Sequence, residues 1–580
     1  MEKFCSAWWR ISPKRAMAEP NGEENKQLVP ESYESSDKAG NGSIEDYRRV
    51  VSSIELRSLK DKTQVFPLDQ EHHVRTRLSH SYEVATTASS ILEEILSRNA
   101  ENPNNAWHAR RNREAGIGKS IGSCIDSEQD VTSLRYSLMA ACLLHDAGNP
   151  PFGHFGEQVI GSWFSENERT YCLEGSDGHR AGICKEGYAD LKKFEGNANS
   201  LRIALCSSCM YDGRRLNLTA TTLFSIAKYP WVSDSEEASA HKGKYNCFLS
   251  DRKRVEDFIE SVAEDSRLYS ESTPGCYVNI LEGCRHPLSF ILEASDDISY
   301  VTADFEDAFR KGMFSVGDVV RSYAAGVGGM PQGYETYTAT LMDLLVVMAG
   351  SMDDRRLLDA LCPNLRSRLK GEGTHSFLGE GELHTFQAAL RENPSIANDD
   401  HQCSQLQETY VSRWMDITRR WLRFSAAGGI AGSDIFCGSS VELRKCADVD
   451  SVIFGNHYAT IKFLKVIMNK YVYNSPQNMK KNLTANTVLR GLLDKFVPAA
   501  IHCTNPVNID SDENSEMKAF EKSLILSVPL RFRLDYQARK AAGSWKLGEG
   551  RDEYERVMMV LDYITSMTDG FAVQLHKEIC

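Results

Sequence analysis

The chain has 580 residues, of which 41% are hydrophobic and 25% charged, and its formal net charge is −13 at pH 7. This composition is typical of a soluble globular protein and excludes a fibrous or disordered chain, while the acidic balance argues against a surface coated with Lys and Arg for non-specific nucleic-acid binding. The sequence contains no run of about 18 consecutive apolar residues, so no membrane span is predicted. The 16 cysteines lack the spacing of a disulfide framework, so we expect free thiols and a cytoplasmic protein.

The first part of the chain is predicted to be a tail followed by helices. Residues 1–43 are expected to be disordered, because residues 16–43 are rich in Glu, Asn, Gly, Ser and Pro and lack apolar periodicity. From residue 44 to about residue 100, apolar side chains recur every three or four positions, which is typical of amphipathic helices. After a polar stretch, another apolar helix begins near Val131 and ends before the breaker formed by residues 148–151.

Two later passages, 175–188 and 233–253, are rich in Gly or in charged residues, and we interpret both as surface insertions without catalytic residues. From about residue 311 onward, amphipathic helical patterns continue and alternating, strand-like runs are few. The fold class is therefore predicted to be mainly α. We expect a helical core over residues 44–310 and additional C-terminal helices over residues 311–580 that complete the site.

His145 and Asp146 are the strongest local signal of chemistry. A buried histidine beside a carboxylate is costly unless the two groups are paired or bind an ion. Adjacent residues on a helix point about 100° apart, so both can reach one ion only near a helix end, and the breaker at Gly148 places them there. One His-Asp pair arises by chance in many chains, and alone it indicates a metal site only weakly.

Two further segments supply candidate ligands. His80 lies where a polar segment enters an apolar helix, and Asp296 lies on a helix with an apolar face. Two histidines and two carboxylates suit Mn²⁺, Fe²⁺, Ni²⁺ or Mg²⁺, with positions left for water and substrate, and the lack of thiolates disfavours structural zinc. The same residues fit equally well a capped helix end, an exposed histidine and an acidic helix face, so the residues alone leave both interpretations open.

The order of these residues resembles the H…HD…D pattern of the HD phosphohydrolase superfamily, whose members hold a divalent metal inside a helical core. The flanking segments are more specific, because seven of them, in order, resemble the bacterial deoxyguanosinetriphosphate triphosphohydrolases. These segments are KTQVFPL (62–68), VRTRLSHSYEV (74–84), HDAGNPPFGHFGE (145–157), FEGNA (194–198), KYPW (228–231), ASDDISYVTADFEDA (294–308) and DYITSMTDGFA (562–572).

This resemblance implies an HD-type helical core and an enzyme that hydrolyses dGTP, and other dNTPs as well, to the deoxynucleoside and inorganic tripolyphosphate. A metal-activated water would attack the α-phosphorus, and the metal would be Mn²⁺ or Mg²⁺. The ligands implied are His80, His145, Asp146 and Asp296. We choose Asp296 over Asp297 because the family pattern places the ligand four residues before a tyrosine, here Tyr300.

The resemblance also implies roles around the reacting phosphate. His154 would transfer a proton at the scissile bond, and Glu157 would orient or tune it. Arg77, Lys228 and Tyr229 would contact the triphosphate, which needs cationic and donor groups. Without the resemblance, His154 and Glu157 would be interpreted as residues of an exposed loop, and Lys228 as a lysine that interacts with the dipole at a helix C-terminus.

Three other residues are implied to contact the nucleoside. The ring of Tyr300 would pack on the deoxyribose, and Asp304, one helical turn later, would hold the 3′-hydroxyl. Close packing there would exclude a 2′-hydroxyl. Gln64 resembles a position that lies near the sugar and base. Without the resemblance, Tyr300 would be interpreted as a core residue, Asp304 as a solvated carboxylate and Gln64 as a polar residue at a helix end.

The chain also departs from the family pattern. The bacterial enzymes carry an arginine near the position of Thr487 that reaches the triphosphate from a neighbouring subunit or helix, and the nearest candidate here is Arg490. The resemblance implies a homo-oligomer, with a hexamer as one form, and single-stranded DNA as an effector. Two alternatives remain open: an HD-fold phosphohydrolase of other nucleotides, and a regulator that senses nucleotides or single-stranded nucleic acid.

Overall fold

The structure is a computed structural model that describes part of the chain. The described residues are 42–69, 71, 73–99, 128–173, 182–206, 216–240, 243–263, 285–315, 317–319, 321–322, 400–432, 453–455, 458–541 and 550–580. The predicted disordered tail lies outside them, except for residues 42 and 43, which begin the first helix.

The described part of the chain consists of helices joined by turns, with three isolated bridges and no strand. This confirms the predicted fold class. The helices of the first half are α1 (Gly42–Ser52), α2 (Ile54–Ser58), α3 (Arg77–Asn99), α4 (Glu128–Leu144), α5 (Gly153–Glu166), α6 (Glu168–Tyr171), α7 (Lys185–Lys192), α8 (Gly196–Cys206), α9 (Ala220–Ile226), α10 (Glu236–Ala240), α11 (Leu249–Ala263) and α12 (Pro287–Arg310).

The second half continues in the same way. Its helices are α13 (Asp400–Gly432), α14 (Tyr458–Met468), α15 (Pro476–His502), α16 (Ala519–Ser527), α17 (Leu530–Ala541), α18 (Arg551–Ser566) and α19 (Asp569–Ile579). A π-helix, Asn469–Tyr473, lies between α14 and α15. None of the helices in the described ranges is both long and apolar enough to cross a bilayer.

The local sequence explains where two of the long helices, α12 and α15, begin. At the start of α12, the His286 side chain accepts a hydrogen bond from the Leu288 amide, and Pro287 occupies the first turn. At the start of α15, Ser475 caps the Asn478 amide in the same manner. Capping side chains satisfy amides that have no partner within the helix, and proline is tolerated in the first turn because its missing N–H is not needed there.

Two apolar clusters form the core. In the first, α3, α4 and α12 pack against one another, with Leu92, Leu138 and Ile291 completely or almost completely buried. In the second, α5 and α18 pack on α15. Both clusters include residues from before and after position 311, so the C-terminal helices contribute to the same cores as the first half.

The passages 175–188 and 233–253 were predicted to be surface insertions, but their described parts also contain buried side chains, whereas Glu236 and Glu237 are exposed. Tyr188 is fully buried on α7, and its hydroxyl donates to the Phe164 carbonyl oxygen at 2.7 Å. Tyr245 and Phe248 are also fully buried, and their rings meet edge to face. The glycines and charges suggested solvent-exposed loops, but the apolar side chains between them insert into the second cluster.

Candidate active site

The turn that follows α4 carries His145 and Asp146. Its shape depends on Gly148, because a Cβ there would lie 2.1 Å from the backbone nitrogen of Ser200 on α8. The Ser200 hydroxyl accepts a hydrogen bond from the Gly148 amide and donates one to the His145 carbonyl oxygen. Asn199 donates to the Gly148 carbonyl oxygen at 2.8 Å. The turn is therefore held against α8 at three points.

Two histidines from different helices meet one carboxylate. His80 of α3 and His145 are both buried, and Asp296 of α12 is partly buried. Nε2 of His80 lies 3.0 Å from Oδ1 of Asp296, and Nε2 of His145 lies 3.4 Å from the same oxygen. Nδ1 of His145 lies 2.7 Å from the Cys142 carbonyl oxygen, which leaves Nε2 facing the carboxylate.

This arrangement fits a divalent metal. Potential ligand atoms of His80, His145 and Asp296 lie within 4.8 Å of one another. Nε2 of His145 is buried and makes no hydrogen bond, and a buried nitrogen without a partner is uncommon unless a ligand binds it. Metal-binding histidines usually donate their other ring N–H to a carbonyl or carboxylate oxygen, as His145 does with Cys142.

Asp146 lies at the edge of this cluster. Its Oδ1 is 3.5 Å from Nε2 of His145. Arg77 donates to Oδ2 at 2.6 Å, and Asn149 donates to Oδ1 at 2.6 Å. Burial would raise the pKa of Asp146, but the Arg77 guanidinium and the two imidazoles outweigh it and hold that pKa below its usual value. Asp146 is therefore ionised and able to coordinate a cation.

The neighbouring residues Asp296 and Asp297 point to different partners. Asp296 faces the histidines and accepts a hydrogen bond from the Lys228 ammonium group. Burial acts against its charge, but Lys228 and His145 outweigh that effect and hold the pKa of Asp296 well below its usual value. Asp297 instead forms an ion pair with Lys465 at 2.9 Å. Of the two carboxylates, Asp296 is the one positioned beside the histidines.

His154 and Glu157 form a pair in the first turn of α5. Nδ1 of His154 lies 3.0 Å from Oε2 of Glu157, whose Oε1 accepts a hydrogen bond from the Gly196 amide. A Cβ at position 196 would lie 2.4 Å from Oε1 of Glu157, so a larger residue there would displace this carboxylate. The His154 side chain is 67% exposed, whereas that of Glu157 is 9% exposed. The Glu157 carboxylate, through its charge and its hydrogen bond, raises the pKa of His154.

Tyr300 and Asp304 lie one turn apart on α12. The Tyr300 hydroxyl forms a hydrogen bond with that of Tyr473, and the two rings stack with centroids 6.3 Å apart. Asp304 is buried, and its Oδ2 has no hydrogen-bond partner. Burial and the nearby Asp307 raise the pKa of Asp304 well above its usual value, which favours the protonated form of the carboxyl group.

Gln64, Tyr229 and Arg490 are the remaining residues singled out from the sequence. Oε1 of Gln64 is buried without a hydrogen-bond partner. Tyr229 donates its backbone amide to the Asn246 side chain at 2.5 Å, so the passage interpreted as an insertion contacts a predicted substrate residue. Arg490 forms two hydrogen bonds with Glu166 on α5.

Two residues that support the site, Lys62 and Asp569, were not predicted from the sequence. Nζ of Lys62 is buried and donates to the carbonyl oxygens of Asn149 and Thr565, and burial and the nearby Arg77 lower its pKa to about 7. Asp569 accepts hydrogen bonds from the Phe152 amide and from Thr63. Lys62 and Asp569 belong to segments that were singled out for their resemblance, but the local pattern did not indicate these distant contacts.

The chain is similar to proteins of known name along most of its length. No protein-family profile matches the chain. The chain is 26% identical over 542 residues to a protein of Listeria monocytogenes serovar 1/2a named deoxyguanosinetriphosphate triphosphohydrolase-like protein, with 92% of each chain covered. A protein of the same name from Listeria innocua serovar 6a is 26% identical over 546 residues, again with 92% coverage of each chain.

A third relative carries the name without the suffix "-like". The deoxyguanosinetriphosphate triphosphohydrolase of Yersinia pestis strain Pestoides F is 25% identical over 602 aligned positions, with 98% of each chain covered. The similarity extends along nearly the whole chain rather than one segment. This chain is therefore similar, from end to end, to curated proteins named for dGTP triphosphohydrolysis.

Proposed function

We propose that this protein is an HD-type, metal-dependent hydrolase that cleaves dGTP, and other dNTPs as well, into the deoxynucleoside and inorganic tripolyphosphate. The observation that carries the proposal is the convergence of His80, His145 and Asp296, with Asp146 at their edge, in a chain similar over nearly its full length to proteins of that name.

The proposed metal ligands are His80, His145, Asp146 and Asp296. A site of imidazole and carboxylate donors suits Mn²⁺ or Mg²⁺, whereas thiolate-rich sites select zinc. When bound, such an ion supplies Lewis acidity and neutralises phosphate charge. The four side chains come from α3, from the turn after α4 and from α12, so their relative positions depend on the packing of the first apolar cluster.

His154 is the proposed proton donor to the leaving O5′. Its side chain is exposed, and within the part of the chain that the structure describes its ring hydrogen-bonds to Glu157. The Glu157 carboxylate raises the pKa of His154, which favours the protonated imidazole that a general acid requires. Glu157 would orient the ring and balance its charge, because its second oxygen is fixed by the Gly196 amide.

Arg77, Lys228 and Tyr229 are the proposed triphosphate contacts. The two cations already lie at the metal cluster, where Arg77 pairs with Asp146 and Lys228 with Asp296. Phosphate oxygens entering the same space would meet both cations, and charge-assisted hydrogen bonds of this type are among the stronger ones in proteins.

Tyr300, Asp304 and Gln64 are the proposed contacts to the nucleoside. A protonated Asp304 can donate to a 3′-hydroxyl, and a buried carboxyl oxygen without a partner is the kind of group that a ligand satisfies. Oε1 of Gln64 is unsatisfied in the same way. Tyr300 would provide the surface on which the deoxyribose packs.

The experiment that tests this function is a product analysis. Purified protein is incubated with each dNTP and with GTP, in Mn²⁺ or Mg²⁺, and the products are resolved by ion-exchange chromatography. We expect deoxyguanosine and tripolyphosphate to appear together without dGDP or dGMP. Stepwise release of phosphate, or turnover only of other nucleotides, would favour the alternative HD-fold phosphohydrolase.

The proposal extends to the setting of the enzyme. We propose a cytoplasmic homo-oligomer, with a hexamer as one form, and single-stranded DNA as an effector. Light scattering of the purified chain measures the oligomeric state. The rate of dGTP hydrolysis with and without a single-stranded oligonucleotide tests the effector. Binding of nucleotide or oligonucleotide without any hydrolysis would favour a sensing regulator.

A further inference from the structure

Both oxygens of the Asp146 carboxylate are engaged by neighbouring donors. Arg77 binds Oδ2 and Asn149 binds Oδ1, each at 2.6 Å. The group of Asn149 that faces Oδ1 is the amide NH₂, which donates its hydrogen bond to this oxygen. Two donors on opposite oxygens fix the plane of the carboxylate, with Oδ1 directed towards Nε2 of His145 at 3.5 Å.

Asn149 is itself held in place. Its backbone amide donates to the Asp146 carbonyl oxygen, and its own carbonyl oxygen accepts a hydrogen bond from Lys62 at 2.8 Å. Lys62 also donates to the Thr565 carbonyl oxygen on α18. Pro150 follows and restricts the backbone of the residue before it. The Asn149 side chain is buried, so it has little freedom to point elsewhere.

We propose that Asn149 is a positioning residue for the metal centre, which holds Oδ1 of Asp146 in the orientation that a bound cation needs. The proposal rests on the proposed metal site. An oxygen that accepts one hydrogen bond retains a lone pair for coordination, so the Asn149 contact and a metal contact are compatible on Oδ1. Removing such an outer partner usually costs about 10- to 100-fold in metal affinity.

The test measures metal binding without turnover. Mn²⁺ alone is titrated calorimetrically into the full-length wild-type protein, Asn149→Ala and Asn199→Ala. Asn199 is a matched control because it is buried beside the same turn and its side chain donates to Gly148 and Thr565 rather than to Asp146. We expect Asn149→Ala to raise the Kd for Mn²⁺ by about 10- to 100-fold and Asn199→Ala to leave it near the wild-type value.

Thermal unfolding of the same proteins separates positioning from general destabilisation. Both variants should lose stability, because each removes a buried amide, but only Asn149→Ala should lose metal affinity. In the hydrolysis assay, the Mn²⁺ concentration for half-maximal rate should rise with the Kd, while kcat at saturating Mn²⁺ falls by a smaller factor. Asn149→Leu keeps the side-chain volume and carries the same test if the alanine variant does not fold.

An unchanged Kd in the Asn149 variants, or an equal loss in Asn199→Ala, would overturn the proposal. The titration also separates it from the proposed function. A wild-type protein that binds Mn²⁺ but does not hydrolyse dGTP contradicts only the function, and the Asn149 comparison then decides the inference by itself. A wild-type protein that binds no Mn²⁺ overturns both.

Discussion

Nδ1 of His145 lies 2.7 Å from the carbonyl oxygen of Cys142, three residues earlier on α4. Because a carbonyl oxygen only accepts hydrogen bonds, Nδ1 must carry the proton, and Nε2 presents its lone pair when the ring is neutral. That lone pair faces the carboxylates of Asp146 and Asp296. The hydrogen bond thus selects the tautomer of His145 that can coordinate a cation.

His145→Ala should abolish metal binding and turnover together, because it removes a central donor of the cluster. The measurement is the molar ratio of bound Mn²⁺ after dialysis, alongside the rate of dGTP hydrolysis. His502→Ala is the control, since His502 is an exposed residue that pairs with Glu521. Asp146→Ala should behave like His145→Ala. Full metal content with full activity in either variant would contradict the metal site.

His154→Ala should retain bound metal and nucleotide affinity, while kcat falls by about two to four orders of magnitude, the usual contribution of a general acid or base. The reason is that His154 contacts Glu157 and is not one of the clustered donor residues. Calorimetric titration of dGTP into the variant, beside product assays, measures the two effects separately. Loss of nucleotide binding with a normal residual kcat would instead identify His154 as a phosphate ligand.

Glu157→Gln should reduce kcat less than His154→Ala does. The double variant should lose less than the product of the two single losses, because residues that act as one unit are not additive. A fully multiplicative loss would mean that the hydrogen bond between these side chains has no part in the reaction.

The pH dependence of kcat/KM should carry the signature of the same pair. If His154 is the acid, its protonated form is active, so activity is present at low pH and falls as pH rises through the pKa of His154. The Glu157 carboxylate raises that pKa above its ordinary value, which extends activity to higher pH. Glu157→Gln removes the charge, so the alkaline limb of the profile should move to lower pH. An alkaline limb that does not move would exclude His154 as the titrating acid.

The motifs that carry the family resemblance single out His80, His145 and Asp296, which the structure brings close together. The motifs could not indicate the contacts that surround this cluster, because those contacts come from distant parts of the chain. Lys62 donates a hydrogen bond to Thr565, which is 503 positions later in the chain. Asp297 accepts one from Lys465, which is 168 positions later. The passage containing Tyr245 was misinterpreted for a similar reason: its burial depends on the second apolar cluster, which assembles helices that are far apart in sequence.

Tyr300→Ala should weaken the preference for dGTP over GTP. In the proposed pocket the Tyr300 ring lies where it would meet a 2′-hydroxyl, and its position is set by the hydroxyl of Tyr473, which comes from the π-helix. Loss of the ring should lower the ratio of kcat/KM for dGTP to that for GTP by about tenfold or more, the range expected when a shaped pocket loses one contact.

Tyr473→Phe should lower that ratio by a smaller factor, because it keeps the stacked ring and removes only the hydrogen bond that holds Tyr300. Tyr471→Phe is its matched control. Tyr471 lies on the same π-helix, but its hydroxyl contacts Ser322 and the Asp318 carbonyl oxygen instead. It should leave the ratio unchanged. If Tyr300→Ala preserved the wild-type ratio, the sugar would have to bind elsewhere, and if both phenylalanine variants changed it equally, the π-helix as a whole rather than the Tyr473 hydroxyl would govern the choice of sugar.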